Sequence, residues 1–246
     1  MMSAPRIFVG TLACGEAEFE DCCEAIAQQK NVLVHHHIIS DLPEFDAHKK
    51  LWKDWSSQKQ KFDLFVKVDA DTVLSRNTAL NEIHNLFSDP SVTGAQILLH
   101  DFFTNQLIPG LNAFSLSVSF RTSRNRLFAD HSDYNHNVVL KGDAVKYLAP
   151  IGFHSPRPHP KQAFHFGLHR TLKKQYDILK RCSEVWLEQR DECRSWALTG
   201  ALATNWWMKW GFDYESHLFQ KMFLKFYNDS KRLEKVEKYA SSFFRG

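Results

Sequence analysis

The chain has 246 residues, of which 43% are hydrophobic and 24% are charged, values typical of a globular protein with a sizeable core. Its formal net charge of +3 is too small to predict nucleic-acid binding, although it suits anionic ligands. No run approaches the roughly 20 apolar residues that span a bilayer, and no signal-peptide pattern precedes the first predicted strand. The five cysteines lack a C-x-x-C pair, which favours reduced thiols in a cytoplasmic protein over disulfides or a zinc site.

Strands and helices alternate through the first hundred residues, as judged from the spacing of apolar side chains. The predicted strands cover 7–12, 32–39, an apolar run from 62 to 69, and 92–100, and the predicted helices between them cover 16–29, 44–60 and 78–87. This order predicts an α/β fold with a mostly parallel central sheet that is covered by helices on both faces.

The pattern changes after residue 101. Residues 111–120 alternate loosely, 138–141 predict a short strand, 143–148 a short helix, and the proline-rich stretch 153–160 a loop, followed by helices over 162–181, 184–209 and 217–246. We therefore predict a catalytic domain over residues 1–180 and a helical C-terminal extension over 181–246 that packs on it.

Two carboxylates, Asp69 and Asp71, end the apolar run that begins at Phe62. Alternate side chains of an extended backbone share a face, so both are expected to project side by side from the carboxyl end of a buried strand. Ligands bind at that edge of an open α/β sheet, and paired carboxylates suit Mg²⁺ or Mn²⁺ that also carries substrate phosphates. The alternatives are a solvated turn or a cap for the helix that starts near Thr78.

Several segments form a pattern together: the opening strand 6–12, Asp41, the pair Ala47-His48, the acidic string 66–74, and the stretch 138–152. Over residues 6–170 this pattern resembles nucleotide-sugar-dependent glycosyltransferases of the GT-A fold, above all the family-two rhamnosyl/glucosyl-type group. The resemblance implies a Rossmann-like GT-A domain, a D-x-D site at Asp69 and Asp71 for Mn²⁺ or Mg²⁺, and a nucleoside-diphosphate sugar as donor. It also implies a catalytic role for Asp71 in holding the metal diphosphate.

The resemblance assigns nucleotide binding to the ends of the first two strands. Thr11, Leu12 and Glu16 follow the first strand, and Asp41 follows the second, where the family's aspartate contacts the base. His48, near the start of the next helix, is then expected to approach the ribose or the diphosphate.

His165 and His169 lie four residues apart and therefore share one face of a helix. Many GT-A enzymes complete the metal shell with a histidine from the C-terminal half, so the resemblance implies that one of this pair, preferably His165, binds the metal. The alternative is a helix face with partly buried imidazoles bonded to their neighbours. A zinc-protease helix is excluded because Phe166 stands where a glutamate is required.

The general base is the point at which the chain departs from the family. Inverting members carry an acidic pair where this chain has 161–169, a stretch with no carboxylate. The nearest carboxylates that could serve are Asp130 and Asp133, with the neighbouring histidines as competitors and a solvated polar loop as the alternative. If none of these groups serves, retention through internal return is the alternative course, since it needs no base from the protein; the sequence leaves inversion or retention open.

The resemblance thus implies a metal-dependent hexosyltransferase that moves one sugar to a glycan, a lipid-linked glycan or a small acceptor, with surface-polysaccharide assembly as one setting. One rival is a sugar-nucleotide nucleotidyltransferase, although the segment 11–16 holds a single glycine and no lysine or arginine. The other rival is a non-catalytic nucleotide-binding homologue. The oligomeric state stays open.

The C-terminal helices are rich in tryptophan and lysine. This composition suits either a peripheral contact with the inner face of a membrane or, more often, packing of the helices themselves. The tryptophans concerned are Trp186, Trp196, Trp206, Trp207 and Trp210.

Overall fold

The computed structural model describes residues 3–121, 123–129, 139–140, 148–204, 213–214 and 216–244. The chain forms two compact units. The first comprises Met1–Phe102 and Gln106–Pro156, and the second comprises Phe103–Asn105 and Arg157–Gly246. The domain boundary that the sequence predicts after residue 180 falls inside a helix of the second unit, α5 (Tyr176–Gln189).

The first unit is built on one eight-stranded sheet. Its strands are β1 (Arg6–Ala13), β2 (Leu33–Ser40), β3 (Leu64–Lys67), β4 (Thr72–Leu74), β5 (Gly94–Asp101), β6 (Gln106–Phe114), β7 (Val139–Leu140) and β8 (Gly152–His154). The order across the sheet is β2-β1-β3-β6-β5-β8-β4, with β7 also paired to β5. The helices that follow β1, β2 and β4 are α1 (Phe19–Ala27), α2 (Glu44–Gln58) and α3 (Ala79–Asn85).

The sheet is mixed, so the prediction of a mostly parallel sheet was wrong in this respect. β1 runs parallel to β2 and β3, and β5 runs parallel to β7 and β8. In contrast, β6 is antiparallel to both β3 and β5, and β4 is antiparallel to β8. The physical reason for β6 is the tight turn after β5, in which Asn105 adopts a left-handed φ of 52°. Such a turn returns the chain directly beside the strand it has left.

Helices flank the sheet, as predicted. On one face, Val9 and Val66 pack with residues of α1 and α3 such as Ile26 and Leu80. On the other face, Phe8 and Phe65 pack against the α2 tryptophans Trp52 and Trp55. All four residues of β3 are buried, which fixes the position at which the chain leaves this strand.

Arg76, in the segment after β4, connects that segment to Glu82 and to the backbone of residues 149 and 150. Its guanidinium donates to the Glu82 carboxylate at 2.6–3.0 Å and to the backbone oxygens of Ala149 and Pro150 at 3.1 and 2.8 Å. The hydrogen bond from Arg76 is the main cause that lowers the pKa of Glu82 below its ordinary value of 4.5, against the opposing effect of burial. The ion pair therefore stabilises the fold above that value and is lost as the pH falls through the lowered pKa.

We expect Glu82→Gln to lower the free energy of unfolding by about 1–2 kcal/mol near pH 7, because it leaves the Arg76 guanidinium without its ionic acceptor. The difference from wild type should shrink at a pH below the ordinary glutamate pKa of 4.5. Urea titrations at the two pH values measure both quantities. A difference that stays the same at acidic pH would contradict the assignment.

The second unit is helical, with α4 (Pro160–Leu172), α5, α6 (Glu192–Ala203), α7 (His217–Tyr227) and α8 (Arg232–Ser242). The helix predicted over 162–181 is in fact two helices, and the one predicted over 184–209 is also divided within its described part. Each break contains a residue in the left-handed conformation with φ of 57°: Lys174 lies between α4 and α5, and Arg190 lies between α5 and α6. Apolar periodicity does not reveal such helix ends when glycine is absent from them.

The loop predicted over 153–160 begins later than expected. Phe153 and His154 belong to β8, so the prediction was wrong for these two residues. The prolines follow the strand, and Pro160 is the first residue of α4, where the missing N–H of proline loses no helical hydrogen bond.

Of the C-terminal tryptophans, Trp186 and Trp196 are buried. Trp206, Trp207, Trp210 and most of the helix predicted over 143–148 lie outside the described residues. Within the described part of the chain, no helix is both long and apolar enough to cross a membrane.

Candidate metal and nucleotide site

Asp69 and Asp71 lie in the turn between β3 and β4. β3 already ends at Lys67, and the N–H of Thr72 donates to the Asp69 backbone oxygen at 2.8 Å, which closes the turn. The expectation that strand alternation sets their directions was therefore wrong, because neither acid is part of a strand. Their position directly after the carboxyl end of a buried strand agrees with the prediction.

The Asp69 carboxylate is accessible to solvent and lies beside the ammonium group of Lys67. Its side chain is 45% exposed, and its Oδ1 forms an ion pair with Nζ of Lys67, whose own side chain is only 8% exposed. The thiol of Cys22, a residue of α1, donates to the Asp69 backbone oxygen at 3.7 Å, so α1 contacts the turn. A ligand can reach this carboxylate, and Lys67 supplies a fixed positive charge beside it.

Asp71 is held by the end of β8. Oδ2 of Asp71 accepts a hydrogen bond from the Ser155 hydroxyl at 2.7 Å, and the Asp71 backbone oxygen accepts from the Ser155 N–H, also at 2.7 Å. Ser155 reaches both atoms from a left-handed conformation with φ of 47°. The Asp71 side chain is 19% exposed, so it is oriented by these contacts and still open to a ligand.

His154 lies between two carboxylates. Its Nδ1 is 2.6 Å from Oδ1 of Asp101, and its Nε2 is 3.4 Å from Oδ2 of Asp71. The sheet causes this arrangement, because His154 is in register with Asp101 on β5 and with Thr72 on β4. The Asp101 carboxylate is only 2% exposed.

Sequence reasoning missed Asp101, His154 and Ser155. A signal existed for Asp101, since it follows an apolar strand just as the acidic pair follows another. The prolines that follow Ser155 disguised a short strand as a loop. The pairing of three strands that are distant in sequence is what brings these side chains to Asp71.

Glu16 is electrostatically linked to this acidic turn. Its carboxylate accepts from the Cys14 N–H at 2.7 Å and from the Cys14 thiol at 3.2 Å. Burial is the main cause that raises the pKa of Glu16, and the negative charge of Asp71 raises it further, against the hydrogen bonds from Cys14. The carboxylates of Glu16 and Asp71 are therefore close enough to interact electrostatically.

The other nucleotide-binding candidates lie at the ends of β1 and β2. The Thr11 hydroxyl is buried and 2.9 Å from Nε2 of His36, and Leu12 packs half-buried against the α2 side of the core. Asp41 is exposed, with a left-handed φ of 60°, and its N–H donates to the backbone oxygen of Ala13 at 3.2 Å. Asp41 is therefore presented to solvent directly beside the end of β1.

His48 occupies the packed face of α2. Its side chain is almost fully buried, its Nδ1 is 2.8 Å from the Glu44 backbone oxygen, and its ring lies 6.0 Å from that of Trp52. These contacts account for His48 as a core residue of the helix, and its role toward a ribose or diphosphate stays a prediction.

His165 and His169 share one face of α4, with ring centroids 4.0 Å apart. The His165 ring also stacks on Tyr214 at 4.0 Å and meets the Phe219 ring edge-on at 5.5 Å. Burial is the main cause that lowers the pKa of His169 well below its ordinary value, and His165 and nearby basic groups lower it further. Neutral imidazoles can bind a metal, but aromatic packing also explains the pair, so the metal role stays a prediction.

The candidates for the general base, Asp130 and Asp133, lie outside the described residues, as do their neighbours His131 and His136. Gln162, which stands where the family has its acidic pair, is buried near the start of α4, and its N–H donates to Nδ1 of His159 at 3.0 Å.

Asp69 and Asp71 carry carboxylate oxygens of the kind that Mg²⁺ and Mn²⁺ prefer. Both offer hard carboxylate oxygens that solvent can reach. Among the residues that the structure describes, no group of three or more His, Cys, Asp or Glu side chains forms a metal cage. If two carboxylates hold such a cation, waters and substrate phosphates would supply its remaining ligands.

Comparison with solved structures gives distant likenesses, of which two are described below. No family model and no curated protein matches the sequence. A glycosyltransferase involved in glycosylation of the major capsid of PBCV-1 matches with a TM-score of 0.34 and 11% identity, over 45% of this chain and 60% of that one. Mannosyltransferase PcManGT from Pyrobaculum calidifontis, solved with GDP-Man and Mn²⁺, matches with a TM-score of 0.42 and 13% identity, over 96% of this chain and 85% of that one. At these scores neither likeness assigns a fold family or an activity to this chain.

Proposed function

We propose that the chain is a divalent-cation-dependent glycosyltransferase that moves one hexosyl group from a nucleoside-diphosphate sugar to a glycan, a lipid-linked glycan or a small acceptor. The observation that carries this proposal is the acidic turn, in which Asp69 and Asp71 follow a fully buried strand and remain accessible. Buried strands that end in two solvent-reachable acids provide a natural site for a cation that bears phosphates.

The chemistry of glycosyl transfer requires that the departing diphosphate be neutralised. A cation held by Asp69 and Asp71 would act there as a Lewis acid. The Ser155 hydroxyl holds Asp71 in place through a hydrogen bond of 2.7 Å, and Nε2 of His154 lies 3.4 Å from the same carboxylate oxygen. Lys67 adds a positive charge beside Asp69 that a phosphate oxygen could share.

The nucleotide is proposed to lie along the ends of β1 and β2. Asp41 is exposed there on the residue directly after β2, and the Glu16 carboxylate, which follows β1, interacts electrostatically with Asp71. This placement puts the base near Asp41 and the diphosphate toward Asp69 and Asp71.

The test is a panel of nucleoside-diphosphate sugars incubated with the full chain and Mn²⁺, with release of nucleoside diphosphate as the readout. We expect one donor to be hydrolysed slowly in water and faster with an acceptor, and chelation by EDTA to stop the reaction. Equal release with EDTA, or none from any donor, would contradict the proposal. Pyrophosphate release from a nucleoside triphosphate and a sugar 1-phosphate would instead identify a nucleotidyltransferase.

A further inference from the structure

His154 has an environment that a purely structural histidine does not need. Both of its ring nitrogens face carboxylates, Nδ1 towards the buried Asp101 at 2.6 Å and Nε2 towards Asp71 at 3.4 Å. The imidazole is itself largely buried, with a side chain that is 14% exposed. The function proposed above uses Asp71 and leaves the reason for this pairing unexplained.

A neutral imidazole carries only one N–H. In a neutral ring that donates from Nδ1 to Oδ1 of Asp101 at 2.6 Å, Nε2 carries the lone pair and lies 3.4 Å from Oδ2 of Asp71. Two electron-rich atoms then face each other at 3.4 Å, outside the ordinary N–H···O range. The same separation suits two donors of one cation, because ligands at about 2.1 Å from a metal lie roughly 3.0–3.4 Å from each other in octahedral or tetrahedral geometry.

We propose that Nε2 of His154 is a direct donor to the divalent cation, together with Asp71, and that Asp101 is the positioning residue that sets the tautomer and orientation of the ring. The inference rests on the proposed function, since the cation is the one that the transferase would use. A carboxylate that accepts the second N–H of a metal-bound histidine is a common arrangement in metalloproteins. It gives the site one nitrogen and one or two oxygen donors, a set that suits Mn²⁺.

The opposing possibility is that His154 is protonated and serves as a counterion between the two acids. In that arrangement the imidazolium competes with the cation for Asp71, and its removal would strengthen cation binding or leave it unchanged. The two models therefore predict opposite effects of the same substitution.

The experiment titrates Mn²⁺ alone into the full chain and measures free Mn²⁺ by electron paramagnetic resonance. Electron spin-echo modulation of the bound ion then reports a directly coordinated imidazole nitrogen. We expect His154→Ala to weaken Mn²⁺ binding by at least about tenfold and to abolish the nitrogen modulation, and Asp101→Asn to weaken binding by about 10–100-fold.

Two histidines serve as controls. His100→Ala alters an exposed imidazole at the end of β5 that stacks on Phe153, and it should change neither binding nor modulation. His165→Ala tests the histidine that the family resemblance favours. If the modulation disappears in His165→Ala and persists in His154→Ala, the proposal is overturned. Unchanged or tighter Mn²⁺ binding by His154→Ala overturns it equally.

Folding and function are separated by two further measurements. Thermal unfolding without metal shows whether a variant is folded. If His154→Ala is not folded, His154→Gln, which keeps a polar side chain of similar length, is used in its place. If wild-type turnover requires Mn²⁺ while His154→Ala or its replacement binds the ion normally, the inference fails and the proposed function stands. If the wild-type protein neither binds Mn²⁺ nor requires it for turnover, the inference and the proposed function are both wrong.

Discussion

Replacing Asp71 by asparagine is expected to lower Mn²⁺-dependent release of nucleoside diphosphate by a factor of about a thousand. The variant keeps an acceptor for the Ser155 hydroxyl, whose donor oxygen lies 2.7 Å away, but it removes the negative charge that holds the cation. A cation that contributes about 4 kcal/mol to the departure of the diphosphate corresponds to that factor. The measurement is kcat/KM for the best donor at saturating Mn²⁺.

Asp63→Asn is the matched control for this variant. Asp63 stands just before β3, is exposed, and accepts a hydrogen bond from the Arg6 N–H at 2.7 Å. Its loss should leave turnover close to the wild-type value. Undiminished turnover in Asp71→Asn would remove the basis for the proposed transferase, whatever the control shows.

Gly200→Ala and Gly167→Ala are each expected to destabilise the second unit by about 3 kcal/mol or more. A Cβ at position 200 would lie 1.9 Å from the backbone oxygen of Phe164, and one at position 167 would lie 1.6 Å from that of Ala197. The obstructing atoms are helix backbone, so α4 and α6 would have to move apart. This cost exceeds the gain of about 1 kcal/mol that alanine brings to a helix interior.

Thermal and urea unfolding measure this effect, with Glu188→Ala, an exposed position on α5, as the control that should stay within about 0.5 kcal/mol of wild type. The double variant should lose less than the sum of the single variants, because one separation of the helices relieves both overlaps. A rise in unfolding temperature for Gly200→Ala would show that α4 and α6 do not pack at these glycines.

The alternation of strands and helices in the first hundred residues was predictable because each element carries its own period. The strand that packs Phe8 on one face and Val9 on the other, and the helix that buries Trp52 and Trp55, are local patterns. Strand direction is not a local property. The antiparallel course of β6 depends on the turn at Asn105, which no apolar pattern marks.

The candidate site was predictable in the same limited sense. Paired acids after an apolar run predict a cation site, and the structure places Asp69 and Asp71 directly after β3. The hydrogen bond that orients the Asp71 side chain comes from Ser155, and His154 lies beside it, both more than eighty residues later in the chain. Only the pairing of β8 with β4 and β5 brings them together, and sequence periodicity contains no information on such long-range pairing.

Metal-dependent nucleotide binding tests the central claim most directly. Thermal unfolding of the full chain should be followed with UDP, GDP, CDP or ADP, each with Mn²⁺ and with EDTA. One diphosphate is expected to raise the unfolding temperature by several degrees in the presence of Mn²⁺ only, which corresponds to about 2.7 kcal/mol at a hundredfold excess over its Kd. No shift with any of the four, or an equal shift in EDTA, would mean that the turn after β3 does not hold a cation that binds a diphosphate.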